Sequence, residues 1–108
     1  MSSMDPKIEE AAKNGDINFL IGALYKHSPD YFLKQQGSDR NIFHIAAWNE
    51  RVEFIKEPIQ RLPKHILNQL HFQKNENGKT PLQKAAGERN LRNITLWVGE
   101  EKAVHKGE

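Results

Sequence analysis

The stretch Asn41-Ile42-Phe43-His44-Ile45-Ala46-Ala47 has an echo at Thr80-Pro81-Leu82-Gln83-Lys84-Ala85-Ala86. In each, a residue able to cap a helix stands five positions before an Ala-Ala pair, with a large apolar residue between. A fainter copy upstream ends in Ala11-Ala12. Eight positions after the first alanine of each pair comes a second landmark: Phe19-Leu20, then Phe54-Ile55, then the weaker Asn93-Ile94. Successive alanine pairs are separated by 35 and then 39 residues. A unit recurring every few tens of residues signals stacked helical modules rather than one closed core. The alanines have a physical reason, because two helices approach closely only where side chains are small.

Local signals outline the first unit. Asp5 can cap a helix whose first position is Pro6, where a missing N–H costs nothing. Ile8, Ala11 and Ala12 form a narrow apolar stripe, and Gly15 ends the helix. Ile17, Phe19, Leu20, Ala23 and Leu24 make the next helix broadly apolar, so we expect it to be buried on most sides. Ser28-Pro29-Asp30 restarts a short helix by cap and first-position proline, with Tyr31, Phe32 and Leu33 to bury. The second unit's inner helix runs from about Ile42 to Asn49. Its outer helix carries Val52, Phe54, Ile55 and Ile59 and should kink or stop near Glu57, because Pro58 removes a backbone hydrogen bond. A further short helix is expected over Pro63 to Leu70. Asn77-Gly78 favours a tight turn, after which Thr80 and Gln83 are spaced as a capping box.

These repeated residues resemble the ankyrin repeat, a unit of about 33 residues comprising a turn and two helices with a T-P-L-H-x-A core. Thr80-Pro81-Leu82 and Ala85-Ala86 match that core, with Gln83 in place of the family histidine, whereas Asn41-Ile42-Phe43-His44 keeps the histidine. The resemblance implies an all-α solenoid of about three helix-turn-helix units, near 5–35, 36–74 and 75–98, with two short helical insertions. It assigns His44 the family role of tying neighbouring turns together, and Asp39 the turn position where the family prefers glycine. Residues 99–108 read as a charged, disordered tail, and 1–98 as the domain. The insertions at Ser28–Leu33 and Leu62–Leu67 look most like those of plant ankyrin-repeat proteins. In those, further repeats and a C-terminal membrane domain follow, with roles in defence and stress signalling.

Bulk properties bound the function. At 108 residues the chain makes one small domain, near the lower limit for a self-sufficient core. A net charge of +2, with acidic residues interleaved among the basic ones, argues against nucleic acid. The chain has no cysteine, which excludes disulfides and thiol chemistry and fits a cytoplasmic location. No apolar run is long enough to span a membrane, and the N-terminus carries no secretory signal. Anchoring is therefore expected only for longer relatives.

No phosphate loop, nucleophile elbow or carboxylate pair is present, and the histidines do not pair at helical spacing, so we expect no enzyme, no metal and no cofactor. The resemblance instead implies a concave protein-binding surface lined by turn tips and the positions after each Ala-Ala pair. These are Lys13, Asn14, Ser38, Arg40, Trp48, Asn49, Glu76, Asn77, Lys79, Gly87 and Glu88. Trp48 and Arg40 are of the residue types that dominate interface energies. The alternative for Trp48 is packing against the neighbouring repeat or beneath the Pro63–Leu70 insertion. The expected partner is another protein. The alternative is a truncated remnant or N-terminal fragment of a longer membrane-anchored protein, marginally stable and without binding activity of its own.

Overall fold

The computed structural model describes residues 3–35, 40–81 and 83, and among these every regular element is helical. Five α-helices, α1 (Pro6–Asn14), α2 (Ile17–Lys26), α3 (Ile42–Trp48), α4 (Val52–Lys56) and α5 (Lys64–Phe72), alternate with two 3-10 helices at Pro29–Leu33 and Glu57–Gln60. The expected third hairpin beyond Gln83, with Ala85, Ala86, Asn93 and Trp97, lies outside the described residues, as do Asp39 and the tail.

The helix starts follow local chemistry. Asp5 accepts a hydrogen bond from the Lys7 N–H at 2.9 Å, and Pro6 opens α1. Asp16 caps α2 through the Phe19 N–H at 3.0 Å. Pro58 ends regular α-helix in the second unit, since α4 stops at Lys56 and continues as a 3-10 turn. Ser28 departs from expectation. It makes no side-chain cap bond, and Pro29–Leu33 winds as a 3-10 helix.

Packing arranges these elements as two helical hairpins side by side. Helix α1 lies against α3, and α2 lies against α4 and its 3-10 extension. The close approach rests on Ala11, Ala12, Ala46 and Ala47, all buried. Phe43 and Phe54 have no exposed surface, and the Phe43 ring meets His71 of α5 edge-on with centroids 5.0 Å apart. Burying each phenylalanine ring contributes about 2–3 kcal/mol by apolar area. A third layer was not foreseen. Helix α5 packs on the Pro29–Leu33 turn as well as on α3, so the two insertions meet. Phe32, Ile66, Leu67 and Leu70 are their buried contribution.

Helix α2 is less enclosed than its composition suggests. Leu20 and Ala23 are buried, Ile17, Phe19 and Leu24 only partly so, and Asn18, Gly22, Tyr25 and Lys26 form an exposed stripe. The reason is that its neighbours α1 and α4 cover one side of the helix and leave the other to solvent.

Matching turns close the two hairpins. Gly15 follows α1 with φ +69° and ψ +35°, left-handed backbone that glycine adopts freely. Glu50, at the same place 35 residues on, takes φ +60°. Arg51 then reaches back, donating its Nε–H to the Lys13 carbonyl at 2.9 Å. That bond satisfies one of the C-terminal carbonyls of α1 and ties the second turn to the first.

A candidate protein-binding surface

Residues around the start of α3 set the geometry of the candidate surface. Asn41, fully buried, caps the helix by accepting from the N–H groups of Phe43 at 2.8 Å and His44 at 3.1 Å. Its own N–H donates to His44 Nδ1 at 3.2 Å. Since Nδ1 accepts, the neutral ring carries its proton on Nε2, which donates to the Lys79 carbonyl at 3.1 Å. The Asn41 amide nitrogen donates to Leu70 O at 3.2 Å and Gln73 Oε1 at 2.9 Å. One cap therefore pins α3 to α5 and to the loop before Thr80. The role in tying turns that the resemblance implied for His44 matches these contacts.

Helical spacing then places His44, Ile45, Trp48 and Asn49 on one side of α3, with Arg40 just before the helix. With Lys13 from the last turn of α1, they line a surface depression of about 200 Å³. Lys13, Arg40, Trp48 and Asn49, expected separately from the sequence, thus come together. Trp48 is 51% exposed, which decides between its two readings in favour of the surface. Asn49 donates its side-chain amide to Ile45 O at 2.8 Å, closing the end of α3. Lys13 meets Glu9 at 3.3 Å along α1. An exposed pair of this kind contributes a few tenths of a kcal/mol, so Lys13 remains available.

Asn14 lies outside this depression. It lines an adjacent one of about 320 Å³ with Glu50, Arg51 and Glu53 between the two hairpin turns. Glu76, Asn77 and Lys79 are exposed on the following loop, which is held in shape by Asn75. The Asn75 side-chain oxygen accepts from the N–H groups of Asn77 at 2.9 Å and Lys79 at 3.0 Å, and Gly78 takes φ +73°. That loop touches the depression through His44 alone among the bonds described above. Thr80 and Gln83 complete the expected capping box, with reciprocal bonds of 2.9 and 3.2 Å. Ser38, Gly87 and Glu88 lie outside the described residues.

Sequence reasoning missed Glu50 and Arg51. The signal available was the 35-residue offset, which sets Glu50 on Gly15. Tyr25, at 73% exposure, is the other large exposed apolar side chain among the described residues, but it belongs to the outer helix α2. The Arg61 guanidinium covers one face of its ring at 4.8 Å and donates to its hydroxyl at 2.8 Å.

No known protein-family model matches the chain, and no curated protein shows significant similarity to it. Among the described residues, no helix is long and apolar enough to cross a membrane, and no group of three or more His, Asp or Glu could hold a metal ion.

Proposed function

We propose that the chain is an ankyrin-type repeat module that binds a protein partner through the turn-tip surface around Trp48. The observation that carries this reading is the convergence of Lys13, Arg40, Trp48 and Asn49 on one depression, with half the tryptophan open to solvent. Large exposed aromatics beside arginine are the usual anchors of protein interfaces. The repeat reading is supported by α1 lying on α3 through paired alanines, and by left-handed backbone at both Gly15 and Glu50. The His44 bond to the next loop supports it further.

Photo-cross-linking tests the proposal. A benzophenone amino acid is placed at position 48 and, as an outer-face control, at position 25, and each full chain is irradiated in cell extract. Discrete protein adducts specific to position 48 are expected. Identical patterns from the two positions would count against a binding surface at α3.

A further inference from the structure

The chemistry of the depression narrows the kind of partner. Lys13 and Arg40 both line it, and among the described residues no carboxylate does. Arg40 is exposed, and among the described residues no carboxylate forms an ion pair with it. Arg51, beside Lys13, is also exposed and uses its Nε to hold the Lys13 carbonyl, without an ion pair among the described residues. Two cations, Arg40 and a Lys13 that also meets Glu9 in an exposed pair, thus flank an exposed indole.

Size and surroundings limit what can bind. A volume of about 200 Å³ falls below the roughly 300–1,000 Å³ of small-molecule sites, so the depression suits one or two side chains rather than a cofactor. Glu9 on α1, with Glu50 and Glu53 at the neighbouring turn, stands close by. A continuous phosphate backbone would meet those charges as well as the cations, and the chain's net charge of +2 supplies little general attraction for it. A short anionic segment that places its charge locally meets fewer of those carboxylates, Glu9 beside Lys13 being the one it faces.

We infer that this surface takes an acidic peptide segment of a protein partner, with a carboxylate held between Arg40 and Lys13 and an apolar or planar side chain laid on Trp48. The inference rests on the binding-surface reading above and specifies its ligand. A planar guanidinium holds a carboxylate through two parallel N–H bonds, and an exposed indole offers a large contact area. Neither group alone would distinguish acidic peptides from others, but their juxtaposition does.

The test is selection of a random 12-residue peptide-phage library on the immobilised full chain, followed by fluorescence-anisotropy titration of the enriched peptides made synthetically. Enriched sequences should carry at least two Asp or Glu beside an aliphatic or aromatic residue. Binding should weaken roughly tenfold in Arg40→Glu, whose far-UV circular dichroism should match the wild type. It should weaken by a similar factor between low and high salt, as rim charges do. A peptide with Lys in place of the contacting acid should recover binding to Arg40→Glu but not to the wild type. Enrichment of neutral or basic peptides that still lose binding in Trp48→Ala would overturn the acidic preference and leave the surface reading standing. The acidic preference also falls if phosphopeptides bind and their carboxylate counterparts do not. Absence of any enrichment would sink both.

Discussion

Exchanging the residues at the two hairpin turns should change stability in opposite directions. Gly15 and Glu50 occupy equivalent places with φ +69° and +60°, yet only one is glycine. Left-handed backbone costs a residue with a Cβ about 1–2 kcal/mol. Glu50→Gly removes that cost, while the added freedom of glycine in the unfolded chain takes back about 0.5–1 kcal/mol. The expected net gain is about 0.5 kcal/mol, or a rise of about 2–4 °C in Tm for a domain of this size. Gly15→Ala imposes the cost and adds a clash, since its Cβ would lie 2.9 Å from Arg51 Cδ. Arg51 must then shift, weakening its bond to the Lys13 carbonyl, itself worth about 0.5–1.5 kcal/mol. The expected loss is about 1–3 kcal/mol. Urea unfolding followed at 222 nm measures both variants against the wild type, with unchanged slopes confirming that the same fold is being compared. Loss of stability in Glu50→Gly would refute the equivalence of the two turns.

Other perturbations test the remaining contacts. His44→Ala leaves the buried Asn41 N–H without its acceptor and opens a cavity, and should cost about 3 kcal/mol in urea unfolding. A cost below about 1 kcal/mol would show that His44 does not tie α3 to the following loop. Partial burial, then the Asp5 charge and the bond donated to Asp5 Oδ2, push the Tyr31 hydroxyl up from 10.0 to about 12. Because the folded value is raised, the stability it contributes is complete below pH 10 and is lost as pH rises from 10 towards 12. The difference in unfolding free energy between wild type and Tyr31→Phe should therefore shrink across that interval, and a constant difference would refute the Asp5 contact. Phe54→Ala, at a fully buried position of α4, should cost about 3–5 kcal/mol, and a much smaller loss would place Phe54 outside the core.

What the sequence discloses is mostly local. The Asp5-Pro6 start, the Pro58 break and the Thr80–Gln83 capping box depend on residues within a few positions of each other, and each stands as read. The meeting of the Pro29–Leu33 turn with α5 depends on contacts across more than thirty residues, which no short pattern encodes. Glu50 carries no sign of left-handed backbone in its own chemistry, and only alignment with Gly15 exposes it. The composition of α2 overstates its burial, because apolar content does not reveal how many sides of a helix have neighbours.

The candidate surface was half legible. The resemblance, counted from the alanine pairs, implies Lys13, Trp48 and Asn49 as individual positions. Their meeting with Arg40 at one depression depends on how α1 lies against α3. Trp48 in particular has two sequence readings that only packing separates.

Trp48→Ala, followed in parallel by urea unfolding and by titration with peptides selected on the wild type, tests the surface most directly. A residue half open to solvent should lose no more than about 1 kcal/mol of stability, while peptide affinity falls at least tenfold. A stability loss of about 3–5 kcal/mol, as for a buried aromatic, or peptide binding that survives the substitution unchanged, would contradict a binding surface centred on Trp48.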